Sequence, residues 1–167
     1  MKIVLITRRL VLMICGGLLC LFSHFSAKGQ EVQLSVYTIR NLSFGAFFQG
    51  NAGGTVTVSH DGSRSVTGDI IPANMGFLFY PAIFEVEAAP GTLISILNGA
   101  DATLTGSNGG SITLRIGESD LGTPFNTTAT PPARTQVTIG ATLTVGTPQA
   151  NPSGSYSGTY SVTFINE

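Results

Sequence analysis

Beyond residue 30 the chain alternates apolar and polar positions with a period of two. That is the period of a β-strand, whose successive side chains point to opposite faces. The clearest run is 154–165. Tyr156, Tyr160, Val162 and Phe164 share one parity, and Ser155, Ser157, Thr159, Ser161 and Thr163 share the other. Gly158 interrupts the apolar parity, which predicts a bulge or a close backbone approach. Residues 136–145 repeat the pattern, with Val137, Ile139, Ala141, Leu143 and Val145 set against Thr138, Gly140, Thr142 and Thr144. The turn-rich GTPQANPSGS between these runs suits a hairpin or a longer crossover between sheets equally well. Ile112, Leu114 and Ile116 alternate with polar neighbours, and Phe84 and Val86 alternate with Glu85 and Glu87. Residues 93–97 are apolar on both parities, as a central or doubly covered strand would be. Phe44, Ala46 and Phe48 align in an early strand that Phe47 breaks. Residues 32–39 switch parity at Val36–Tyr37, as a strand crossing between two sheets does.

The stretch TVTVSHDGSRSVTG predicts a hairpin whose register can be chosen. A two-residue Asp61-Gly62 turn would place Val58 opposite Ser65 and split the valines between faces. A three-residue loop, His60-Asp61-Gly62, pairs Ser59 with Ser63 and Val56 with Val66, with Gly62 in the left-handed position. One buried face selects the second register. Nowhere beyond residue 30 do apolar residues recur at three and four, and helix formers are sparse. About eight to ten short strands with Gly, Pro and Asn turns predict an all-β sandwich or a closed barrel, of which a sandwich with an immunoglobulin-like course is favoured. Residues 121–134, LGTPFNTTATPPAR, read as a long loop, because Pro131-Pro132 cannot sit in a central strand.

The front of the chain changes where this domain is expected to fold. Lys2, Arg8 and Arg9 precede an apolar run over 10–22, and Ala27-Lys28-Gly29 precedes Gln30. These are the three regions of a secretory signal peptide, with cleavage expected between Gly29 and Gln30. The run is shorter than the roughly 20 residues a membrane-spanning helix needs. Leu18-Leu19 before Cys20 departs from the small residues that precede a lipid-anchored cysteine. The expected organisation is therefore a signal peptide over 1–29 and one β-domain over 30–167. The product would be exported to the periplasm, cell surface or medium and would not be an integral membrane protein. Both cysteines lie before residue 30, so the domain has no thiol and no disulfide.

Charge narrows the partners. Residues 30–167 hold Arg40, Arg64, Arg115 and Arg134 against nine acidic residues, a net charge of −5, with no lysine. Nucleic acids and anionic membranes need a basic surface, and none is present in the pattern. A search for chemistry yields no catalytic, cofactor or metal residue to assign. His60 stands alone at a hairpin tip, and no serine lies in a nucleophile elbow. Glu85 and Glu87 sit about 7 Å apart on one strand face, which a solvated strand explains better than a glycosidase pair. Asp101, Glu118 and Asp120 are a weak calcium set. The Gly53-Gly54 and Gly109-Gly110 loops precede strands, not the helix of a phosphate-binding loop. Phe47, Phe77, Phe79, Tyr80 and Phe125 are candidates to line a groove, with core or rim packing as the favoured fate of each.

Four stretches carry a resemblance: Leu42-Ser43-Phe44-Gly45, the hairpin over 53–68, Ala82-Ile83-Phe84-Glu85-Val86, and the terminal pair 137–145 and 154–164. The chain resembles the secreted bacterial proteins grouped as domain of unknown function family 4402. At a greater distance it is similar to subunits of chaperone–usher and common-pilus fimbriae, through the terminal Gly-x-Tyr-x-Gly-x-Tyr-x-Val-x-Phe. The resemblance implies an exported, pilin-like β-sandwich of the bacterial envelope and no catalytic residues. It departs from many pilins in lacking their disulfide. The function expected is a non-enzymatic structural or adhesive surface subunit, with self-assembly or a surface protein or glycan as partner. A monomeric glycan- or protein-binding module is the alternative. Residues 31–39 are either an ordinary first strand, the favoured outcome, or a strand donated between subunits.

Overall fold

The computed structural model describes residues 33–167. The expected signal peptide, its cleavage position, Glu31 and Val32 lie outside the described residues. Within them the chain forms β1 (Ser35–Arg40), β2 (Ser43–Phe44), β3 (Ala46–Val58), β4 (Arg64–Ala73), β5 (Phe79–Tyr80), β6 (Ala82–Glu87) and β7 (Leu93–Asn98). It continues through β8 (Ala102–Gly106), β9 (Ser111–Ser119), β10 (Phe125–Asn126), β11 (Thr135–Val145), β12 (Tyr156–Ser157) and β13 (Val162–Asn166). Nine of these have five or more residues, within the expected eight to ten, and four are two-residue pieces. The fold is all-β and sandwich-like, built from antiparallel sheets.

The strand β11 organises the larger sheet. Residues 135–139 pair with β6 and residues 141–145 with β3 along one edge, while β9 takes the opposite edge. The two partners of the shared edge diverge at Gly140, where a Cβ would lie 2.6 Å from the Val58 carbonyl oxygen. Only a glycine lets both strands approach there. The full order is β1-β6-β11-β9-β8-β12, with the β3–β4 ribbon branching from β11. Val137, Ile139, Ala141, Leu143 and Val145 all face the core and are buried, as their parity predicts. The smaller sheet, β10-β7-β13, covers them with Ile94, Phe125, Ile96, Val162 and Phe164. The Phe84 and Phe164 rings meet across the two sheets with centroids 5.5 Å apart. Each fully buried Val or Ile in this core contributes about 1.5–3 kcal/mol relative to exposure.

The 53–68 hairpin has the register that its valines select. Val56 pairs with Val66, the Ser59 N–H donates to the Ser63 carbonyl at 2.9 Å, and Gly62 has φ of 84°. Beyond it the ribbon bends, because residues 50–53 stand opposite Asp69 alone.

Two expectations are corrected. The run 154–165 is two strands: β12 pairs with β8 in the larger sheet and β13 with β7 in the smaller one. The chain changes sheets just after Gly158, where a Cβ would lie 2.6 Å from the Thr103 carbonyl oxygen. The parity switch at Val36–Tyr37 is not a crossing between sheets, since β1 stays on β6 from Ser35 to Arg40. Tyr37 faces outward and is covered by the Arg134 guanidinium, 3.7 Å from the ring centroid. Of the two alternatives for residues 93–97, the central one holds: β7 lies between β10 and β13, and it is covered on one side only, with Leu93 and Leu97 exposed on its outer face.

Candidate interaction surfaces

Of the acidic residues singled out by spacing, Glu85, Glu87, Asp101 and Asp120 are engaged in structure. Arg134 donates to Glu87 through Nε at 3.1 Å and to Glu85 through Nη1 at 3.2 Å. This clamp satisfies the pair of carboxylates and raises the Arg134 pKa, chiefly through its hydrogen bonds to Glu87 and Glu85. Asp101 accepts Nε and Nη2 of Arg115, which holds its carboxyl below the usual range. Asp120 accepts the Thr138 N–H at 2.8 Å. Asp61 accepts the N–H and hydroxyl of Ser63, and these bonds lower its pKa. Asp101, Glu118 and Asp120 are not brought together: among the described residues no group of three His, Cys, Asp or Glu side chains is placed to hold a metal. His60 is exposed at its hairpin tip.

Glu118 lines a shallow cleft of about 270 Å³ with Ile96, Asn98, Gly117, Ser119, Gly122, Thr123 and Ile139. The cleft lies where the two sheets part. Asn98 Nδ2 bridges it to the Gly117 carbonyl at 2.9 Å, and the Thr123 hydroxyl accepts the Ile96 N–H at 2.8 Å. Thr123 thereby occupies the edge of β7 beyond its short pairing with β10.

The most unusual surface is apolar. Phe48, Ile71, Met75, Phe77 and Leu78 are between 59% and 74% exposed. Phe48 and Ile71 are direct partners across β3 and β4, and the other three lie in the turn that leads from β4 to β5. That turn is pinned through its backbone while its side chains stay in water. The Ser43 hydroxyl donates to the Leu78 carbonyl at 2.7 Å. Arg64 Nη1 donates to the Phe44 and Ala46 carbonyls at 3.0 and 3.2 Å, and its guanidinium stacks on Phe79 at 4.3 Å. Arg40 stacks on Tyr80 at 4.7 Å. Gly45 has φ of 69° and abuts Arg64 and the Phe77 carbonyl, so this pole needs a glycine there. Of the aromatics named from sequence, Phe125 is core, Phe47 and Tyr80 are half-buried, and Phe77 and Phe79 belong to this exposed pole. Sequence reasoning missed Phe48, Ile71, Met75 and Leu78. The contiguous Phe77-Leu78-Phe79-Tyr80 after Met75-Gly76 was the available signal.

A second apolar area covers the outer face of the smaller sheet. Leu93, Leu97 and Ile165 share that face, with Ile165 opposite Ser95 and diagonal to both leucines. A third feature is on the edge strand β1. Val36 lies opposite buried Val86 and so faces inward, yet it is 39% exposed. Segment 31–39 is an ordinary first strand where it is described: from Ser35 onward it pairs within its own copy.

Among the described residues no helix is long and apolar enough to cross a membrane. Residues 34–165 match the family described as Domain of unknown function (DUF4402). The chain belongs to this family. The match spans every strand of the sandwich except the last residue of β13. No curated protein and no solved structure matches the chain.

Proposed function

We propose that this DUF4402 chain is an exported, non-enzymatic protein of the bacterial envelope that serves as a structural or adhesive surface subunit, in the manner of a fimbrial subunit. The observation that carries the proposal is the apolar pole. A domain that leaves Phe48, Ile71, Met75, Phe77 and Leu78 largely in water has placed apolar surface where a partner can cover it. The bond from the Ser43 hydroxyl to the Leu78 carbonyl ties down the turn that carries Met75, Phe77 and Leu78, and Arg64 braces the adjoining Phe44 and Ala46 carbonyls, which lowers the ordering cost of association. The N-terminal export pattern and the engagement of Glu85, Glu87 and Asp101 with arginines support the same reading. Surface labelling of intact producing cells, with mild extraction and native sizing, tests it. The expected result is a labelled protein that has lost residues 1–29 and migrates in complexes. Retention inside the cell would refute the proposal.

A second reading, a monomeric glycan- or protein-binding module, is favoured by the cleft between the sheets. There Asn98, Glu118 and Thr123 surround the apolar floor of Ile96 and Ile139. Binding of glycans to an isolated monomer, lost on Glu118→Ala, would select that reading.

A further inference from the structure

Two of the four arginines beyond residue 30 are consumed by acids: Arg115 by Asp101, and Arg134 by Glu85 and Glu87. The other two, Arg40 and Arg64, form no ion pair among the described residues. Both stack on β5 and so flank the apolar pole. The outer face of the smaller sheet has the opposite balance. Its apolar triangle of Leu93, Leu97 and Ile165 is bordered by Glu167, whose N–H donates to the Leu93 carbonyl at 3.1 Å. Glu167 forms no ion pair among the described residues.

We infer that the pole of one copy docks on the outer face of the smaller sheet of a second copy, making a head-to-tail contact. The inference rests on the subunit reading above and assigns its interface. Each copy then offers an apolar patch rimmed by unpaired arginine and a different apolar patch rimmed by unpaired carboxylate. Like-charge rims would disfavour pole against pole and face against face, while the pole–face pairing matches sign. A contact between two different patches is heterologous. It propagates from copy to copy and gives a filament or a ring, depending on the rotation between copies. The net charge of −5 beyond residue 30 opposes close association, so the two arginines placed at the pole are where that opposition is locally reversed.

The test uses the exported chain with two double variants. Phe77→Ser with Leu78→Ser removes the pole, and Leu97→Ser with Ile165→Thr removes the face. All four residues are exposed, and far-UV circular dichroism with a urea midpoint confirms folding. Met75→Ser with Ile71→Thr serves as a second pole variant if the first is unstable. Sedimentation velocity over a concentration series is expected to show wild-type oligomers growing with concentration. Each double variant alone should be monomeric, its association weakened at least tenfold. An equimolar mixture should form a discrete dimer and nothing larger, since one intact pole meets one intact face. Two results overturn the inference and leave the subunit reading standing. One is a variant that still forms wild-type oligomers alone. The other is a mixture that stays monomeric while wild type assembles. A wild-type chain that never associates overturns both.

Discussion

Asn151→Ala should destabilise the domain by about 2–4 kcal/mol, more than its position in a turn suggests. Residues 147–150 around it are exposed, but Asn151 itself is 3% exposed. Its Oδ1 accepts the Gly146 N–H just beyond the end of β11, and its Nδ2 donates to the Ser111 carbonyl at the start of β9. Its own N–H donates to the Thr147 carbonyl at 2.9 Å, which keeps the turn closed. The side chain therefore ties two neighbouring strands where their ladder ends. Truncation leaves one donor and one acceptor without a partner, at roughly 1–3 kcal/mol each for buried groups. Gly146 is only half-buried and Ser111 exposed, so water recovers part of the loss and the lower half of that range applies to each. Urea unfolding followed by intrinsic tyrosine fluorescence measures the effect. With a slope of about 2 kcal/mol/M, the midpoint should fall by about 1–2 M at unchanged slope. Asn151→Asp should be destabilised as well at neutral pH, since a carboxylate oxygen would then face the Ser111 carbonyl. A midpoint shift below about 0.3 M for Asn151→Ala would show that the amide does not hold these strands together.

Other consequences follow from single residues. The Tyr160 hydroxyl is buried near the Leu42 backbone without reaching hydrogen-bond geometry, so Tyr160→Phe should stabilise the domain by up to about 1 kcal/mol at neutral pH. Burial raises the Tyr160 pKa above 10.0. The unfolded chain therefore ionises first, and stability is lost as pH rises through 10 toward the folded value; urea midpoints against pH should show Tyr160→Phe lacking that alkaline loss. Gly158→Val should cost about 2–3 kcal/mol by urea unfolding, because its side chain would collide with the Thr103 carbonyl and Leu104 as the chain changes sheets. Deleting residues 33–40 should lower thermal stability and promote aggregation, because it uncovers Val86 and the edge of β6. A deletion product as stable as the parent would show that β1 contributes nothing to holding the β6 edge and that assembly through this strand is wrong.

Legibility in the sequence followed how local the determining interaction is. The 53–68 hairpin could be placed to the residue because both valine parity and Gly62 act within a dozen positions. The buried set of β11 followed from alternation, yet nothing local says that its one edge serves both β6 and β3. The split of 154–165 was hidden because alternation continues through the crossing, and only the close approach of Gly158 to Thr103 marks it. Tyr37 looked like a change of face because cover by Arg134 comes from a residue nearly a hundred positions away. The apolar pole was misjudged for the opposite reason. Composition favours burying Phe77 and Leu78, yet both stay exposed in a turn that the Ser43 hydroxyl ties down at the Leu78 carbonyl. The pairing of Arg115 and Arg134, which singles out Arg40 and Arg64 at the pole, is likewise a tertiary fact.

The central claim is that this domain carries an apolar pole built for another protein to cover. Light scattering coupled to size-exclusion chromatography of residues 30–167, over a hundredfold range of concentration, tests it most directly. The account predicts a mass that rises with concentration and a Leu78→Ser variant whose mass does not. A single-chain mass at every concentration, for parent and variant alike, would contradict it.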